Sequence, residues 1–160
     1  MTLGVFFPYR LAIAAESFSR RLVEVYQREY GLSREEWRLL FLLASSDRRT
    51  SLELAKLTSL LKFQVSRAAD RLESKGLIRR ATAKSDRRLR VYACTRKGRD
   101  LFQTVLPLVN SRAEAILDAM SGADRAALKR GVEALLAAIE ATSPSDPSSS
   151  DEETSGSEVD

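Results

Sequence analysis

Thirteen lysines and arginines stand between Lys62 and Arg99 (Lys62, Arg67, Arg71, Lys75, Arg79, Arg80, Lys84, Arg87, Arg88, Arg90, Arg96, Lys97 and Arg99) against three acids, Asp70, Glu73 and Asp86. This excess of ten positive charges in 38 residues can hold anionic oxygens through charge-assisted hydrogen bonds, so the partner to expect is a polyanion. Charge alone does not choose between a nucleic acid and an acidic membrane; the order of the elements that carry it does. The segment reads as a helix end at Leu72 to Gly76, a basic hairpin, and a new helix opened by Thr95.

Other chemistry is sparse. The chain has no histidine and a single cysteine, Cys94, in 160 residues. Histidine-dependent triads, four-cysteine zinc sites and intrachain disulfides are therefore excluded, and no glycine-rich phosphate loop is present. The expectation is a protein that is not an enzyme, with no catalytic residues, no metal and no cofactor. A cysteine within a strand is usually a small core residue, and that is the role expected of Cys94.

The formal net charge of +4 conceals an asymmetry, because residues 143–160 hold six acids and no base, leaving an excess of ten positive charges on residues 1–142. With 44% hydrophobic residues the body can bury a core, whereas the Ser-, Pro- and acid-rich end cannot. The division expected is one folded domain over 1–142 and an acidic disordered tail over 143–160. The first ten residues lack the charged start and long apolar centre of a signal peptide, and the longest apolar run, Leu39 to Ala44, is too short for a bilayer. No membrane association and a cytoplasmic location are expected.

The elements that must position the basic residues follow from periodicity and caps. Apolar positions Leu11, Ala15, Phe18, Leu22 and Val25, with Pro8 in the first turn and Gly31 just past the end, predict a helix over about 8–30. Ser33 with Glu36 and Thr50 with Glu53 are capping-box pairs that open two further helices. A fourth helix over about 62–75 turns Val65, Ala68, Ala69 and Leu72 to one side and Phe63, Gln64, Arg67, Asp70, Arg71 and Ser74 to the other. Leu77 to Thr82 and Arg90 to Cys94 predict two strands joined by a polar loop over 83–89. Thr95 caps a long helix running to Met120 that Pro107 is expected to bend, and a last helix after Gly122 runs to about Ala141.

This layout predicts a mainly α fold with a small β-hairpin wing: a winged helix-turn-helix domain flanked by N- and C-terminal dimerisation helices, about 8–30 and 95–141, around a DNA-binding part over about 33–94. A recognition helix in the major groove reads base edges near its N-terminus, while flanking groups hold phosphates. Arg67 and Arg71 suit guanine, Gln64 suits adenine, and Lys62 and Ser66 lie at the edges facing phosphates, with Phe63 on the same outer face. At the wing, Lys84, Asp86, Arg87 and Arg88 are the candidates. An arginine entering a narrow minor groove gains from its concentrated negative potential, and an aspartate two positions earlier can hold it in place.

Leu72, Gly76-Leu77-Ile78, Asp86-Arg87-Arg88 and Thr95-Arg96-Lys97-Gly98 occur in that order, and on these motifs the chain resembles the MarR family of prokaryotic transcriptional regulators over roughly residues 6–142. The resemblance implies a homodimer built from the terminal helices, an inverted-repeat operator on double-stranded DNA, repression as the usual mode, and Arg88 as the minor-groove residue. It also implies a small aromatic or phenolic ligand that releases DNA, for which Tyr9, Arg10, Tyr26 and Trp37 are candidates. Trp37 shares its face with Leu40, Phe41 and Ala44, and aromatic residues at helical spacing are more often core than ligand-binding. Two positions depart from the family pattern. Leu61 stands where a Ser or Asp cap would be natural, so the helix starts earlier, at Ser59, or lacks a side-chain cap; Cys94 stands where Leu is common. The alternative reading is an architectural or protein-interaction winged helix without sequence-specific readout.

Overall fold

The computed structural model describes residues 6–46, 48–82 and 90–142. In chain order these form α1 (Phe7–Tyr30), α2 (Arg34–Ala44), β1 (Arg49–Thr50), α3 (Ser51–Thr58), α4 (Lys62–Ser74), β2 (Ile78–Thr82), β3 (Arg90–Cys94), α5 (Arg96–Leu117) and α6 (Gly122–Thr142). Residues up to Leu117 make one compact unit, and the chain from Asp118 onward a second. The tail over 143–160 and the loop over 83–89 lie outside the described residues.

In the first unit, local capping sets the boundaries. Gly31 closes α1 in the left-handed region at φ 60°, its N–H bonded to the Gln27 carbonyl while Leu32 N–H reaches Tyr26. Both capping boxes form: Ser33 with Glu36 at α2, and Thr50 with Glu53 at α3. α4 starts at Lys62, and Leu61 supplies no side-chain cap. Instead the Gln64 side-chain oxygen accepts the Leu61 N–H at 2.9 Å, so one half of a capping box works alone.

The predicted hairpin is present, with Ile78 opposite Cys94 and Thr82 opposite Arg90. A third strand was not expected. Arg49 and Thr50, in the polar stretch between α2 and α3, pair with Tyr92 and Val91, giving an antiparallel sheet of order β1-β3-β2. This short pairing anchors the start of α3 to the base of the wing. The core joins Leu39, Leu40 and Leu43 of α2, Leu54 of α3, Val65, Ala68, Ala69 and Leu72 of α4, Ile78 and Tyr92 of the sheet, and Val105 and Val109 of α5. α4 thus buries the face that its 100° periodicity predicts.

The junction of sheet and α5 is built around one peptide carbonyl. Leu77 O accepts Thr95 N–H at 3.0 Å, and the Thr95 hydroxyl lies between the carbonyls of Gly76 (2.8 Å) and Leu77 (3.0 Å). The same hydroxyl oxygen accepts Gly98 N–H at 3.0 Å, which caps α5. Gly98 packs so closely that a Cβ there would stand 2.1 Å from Leu77 O and 2.7 Å from Cys94 Sγ. The Gly-Leu-Ile and Thr-x-x-Gly motifs are therefore two sides of one joint. α5 runs unbroken through Pro107 and ends at Leu117, short of Met120.

In the second unit, Ser121 opens α6. Its hydroxyl oxygen accepts Asp124 N–H at 3.1 Å, and Arg125 pairs with Asp118. Leu128, Val132, Leu135, Leu136 and Ile139 are exposed along this helix. No helix among the described residues is long and apolar enough to cross a membrane.

Candidate nucleic-acid interface

α4 presents its outer face between the turn that follows α3 and the sheet. Ser59, in the left-handed region at φ 56°, ends α3 and reverses the chain into α4. The first turn of α4 then stands clear: Lys62 and Phe63 are exposed, Phe63 by 57%, while Gln64 and Ser66 are half-buried. Arg67, one turn on, is exposed and lays its guanidinium 5.9 Å from the centre of the Phe63 ring.

The C-terminal half of α4 is wired differently. Arg71 donates to Ser33 Oγ at 3.3 Å, and its Nε lies 3.5 Å from Glu36 Oε1. Lys75 Nζ also meets Glu36 Oε1, at 2.7 Å, and bonds the Gly31 carbonyl at 2.8 Å. Glu36 is 2% exposed and already accepts Ser33 N–H in the α2 capping box. One buried carboxylate thus caps α2 and grips the end of α4. Arg71, expected beside Arg67 on the base-reading face, is drawn back toward α2.

Arg80 is likewise occupied. It reaches from β2 to Asp70 and Glu73 on α4, with its guanidinium 5.9 Å from the centre of the Tyr92 ring. Hydrogen bonds to Asp70 and then Glu73 push its pKa above the ordinary arginine value. These pairs neutralise part of the positive excess counted from sequence. Among the described residues of α4 and the strands, the exposed cations outside any ion pair are Lys62, Arg67, Arg79 and Arg90. Arg79 and Arg90 were not singled out from the sequence, although strand alternation after the buried Ile78 points Arg79 outward. Lys84, Asp86, Arg87 and Arg88 lie outside the described residues.

The four effector candidates do not assemble within the chain. Tyr26 and Trp37 are core residues, 3% and 8% exposed, stacked at 5.2 Å between ring centres. Trp37 continues onto Phe102 at 5.6 Å and Phe41 at 6.5 Å. Burial pushes the Tyr26 hydroxyl up from its ordinary pKa. Tyr9 and Arg10 are exposed in the first turn of α1, and Tyr9 stands about 25 Å along that helix from Tyr26 at 1.5 Å per residue. A cleft of about 880 Å³ between α1 and α5 is lined by Glu24, Val25, Arg28, Leu108, Ser111 and Arg112 among others, and by none of the four. Among the described residues no cluster of acids or cysteine could hold a metal ion.

Comparison with known proteins adds an independent observation. Residues 30–89, which include α2 to β2, match the MarR family model. Over those residues the chain is similar to the MarR family. MarR-family solved structures share its fold along most of its length. Sco3205, a MarR family transcriptional regulator from Streptomyces coelicolor solved in complex with DNA, is 26% identical with a TM-score of 0.76, covering 92% of this chain and 93% of its own. SPO1453, a MarR family transcriptional regulator from Silicibacter pomeroyi DSS-3, is 27% identical over 87% of this chain and 98% of its own, with a TM-score of 0.74. BpsR of Bordetella bronchiseptica, whose DNA binding is described as regulated by 6-hydroxynicotinic acid, shares the fold at 16% identity, 84% and 96% coverage and a TM-score of 0.74. No curated protein matches the chain in sequence. The architecture is that of a MarR transcriptional regulator, with six helices and a small three-stranded sheet among the described residues.

Proposed function

We propose that this chain is a MarR-family transcriptional repressor that binds an inverted-repeat operator on double-stranded DNA as a homodimer. α4 enters the major groove by its N-terminal turn, the loop over 83–89 enters the minor groove through Arg88 backed by Asp86, and Arg79 and Arg90 hold phosphates beside it. The observation that carries this reading is the division of labour on α4. Its first two turns leave Lys62, Phe63 and Arg67 exposed, with neither cation in an ion pair among the described residues, while Arg71 and Lys75 at its far end are tied to Glu36. Sco3205, with the same fold, was solved on DNA.

Dimerisation is supported by apolar surface that a single chain leaves in water. Phe7 and Ile13 on α1, and Leu128, Val132, Leu135, Leu136 and Ile139 on α6, are all exposed. A small aromatic or phenolic acid as effector is supported by the description of BpsR, and such a ligand would take a site other than the buried Tyr26 and Trp37. The location expected for such a regulator is the cytoplasm.

The test is selection of genomic fragments by the purified chain, followed by affinity against salt. Log K should fall against log salt by about 0.9 for each phosphate neutralised. Arg67→Ala and Arg88→Ala should each cost roughly 1–3 kcal/mol of operator affinity with the dimer intact. Salt-independent binding, or unchanged affinity in both variants, refutes the proposal; equal affinity for every duplex favours an architectural winged helix.

A further inference from the structure

The exposed pair at the start of α4 has a geometry suited to a particular base step. Phe63 and Arg67 are four residues apart, hence stacked on one helix face, and the guanidinium rests 5.9 Å from the ring centre. Arg67 is outside any ion pair among the described residues, whereas Arg71 leans on Glu36 and Arg80 on Asp70 and Glu73. At that distance the ring attracts the guanidinium and favours its placement beside Phe63, which lowers the ordering that binding must impose. A guanidinium so placed offers two parallel N–H groups, the complement of guanine O6 and N7. Beside it, the 57% exposed ring offers apolar surface, and the apolar group on a major-groove edge is the thymine 5-methyl. Gln64 is a poorer reader. Bidentate readout of adenine needs its side-chain oxygen, and that oxygen is engaged by the Leu61 N–H.

We infer that Phe63 and Arg67 act as one reading unit that selects a guanine adjoined by a thymine in each half-site. Arg67 takes the guanine O6 and N7 and Phe63 covers the thymine methyl. This rests on the reading of α4 as the helix that enters the major groove, and it adds which residues choose and what they choose.

The experiment uses the full chain. Duplexes are selected from a random pool, and the selected site is remade with deoxyuridine for the adjoining thymine, which removes only the methyl, or with 7-deazaguanine, which removes N7. The unaltered protein should lose about fourfold in affinity per half-site on the uridine duplex, the worth of one buried methyl. Phe63→Ala should bind thymine and uridine duplexes equally, and Arg67→Ala should be indifferent to 7-deazaguanine. Both side chains are exposed, and matching melting curves confirm that the variants are folded. Selected sites without a guanine-thymine neighbour pair, or a uridine penalty that persists in Phe63→Ala, overturn the inference while salt-dependent operator binding leaves the broader reading standing. Absence of DNA binding by the unaltered protein overturns both.

Discussion

Gly98→Ala should be among the most damaging single-methyl changes available to this chain. The added Cβ would stand 2.1 Å from Leu77 O and 2.7 Å from Cys94 Sγ. An ordinary carbon–oxygen contact needs about 3.3 Å, so sheet and helix must part by about 1 Å. The carbonyl cannot give way cheaply, because it accepts Thr95 N–H at 3.0 Å and lies 3.0 Å from the Thr95 hydroxyl. Overpacking costs about 1–3 kcal/mol and each strained hydrogen bond about 1 kcal/mol, against a gain of about 1 kcal/mol from alanine's helix propensity. The net expectation is a loss of about 2–4 kcal/mol, or roughly 5–15 °C in Tm for a chain of this size. Urea titration and calorimetry measure it, with Gly131→Ala as control. Gly131 lies in α6 with nothing within 4 Å of its would-be Cβ, so alanine there should stabilise by about 0.5–1 kcal/mol. A Gly98→Ala variant as stable as the unaltered chain would show that the joint is looser than its geometry requires.

Glu36→Gln keeps the shape of the α2 cap but removes the charge shared by Lys75 and Arg71, and should cost about 1–3 kcal/mol in urea unfolding with an unchanged m-value. Cys94 is buried, and burial pushes its thiol pKa up, so the folded protein should stay unreactive toward a disulfide reagent at pH 8 and react once guanidinium unfolds it. Hydrogen bonds from the Thr50 backbone and hydroxyl hold the Glu53 carboxyl below its usual range. A depressed pKa gives stability that is present above the unfolded value, about 4.3, and is lost as pH falls through the folded one. Glu53→Gln should therefore show a shallower decline of the urea midpoint between about pH 5 and pH 3.

Legibility from sequence followed the distance between interacting residues. The caps at Ser33 and Thr50 and the two faces of α4 were readable because each partner lies within four positions, where helix geometry alone decides who meets whom. β1 was not readable. Two residues in a polar stretch carry no period, and their pairing with Val91 and Tyr92 depends on a sheet assembled some forty residues later. The same holds for Arg71, which looked free on a helical wheel because Glu36 belongs to another helix, and for Arg80, whose acids lie across a turn. The aromatic residues named for an effector misled in a simpler way. Tyr26 and Trp37 are large enough to fill a core, and ring size does not tell a binding pocket from a packed one.

The joint at Leu77 has a mechanical consequence. α5 has 22 residues and is therefore about 33 Å long. A sideways step of about 3 Å at its far end is a turn of about 5° at the near end, by the same length. A slack hinge would absorb that angle. Here the near end is pinned through Thr95 and Gly98 to the Leu77 carbonyl, three residues past the end of α4. The long helix is thus a lever with a stiff fulcrum, and whatever rotates it delivers the angle to the helix end beside the wing.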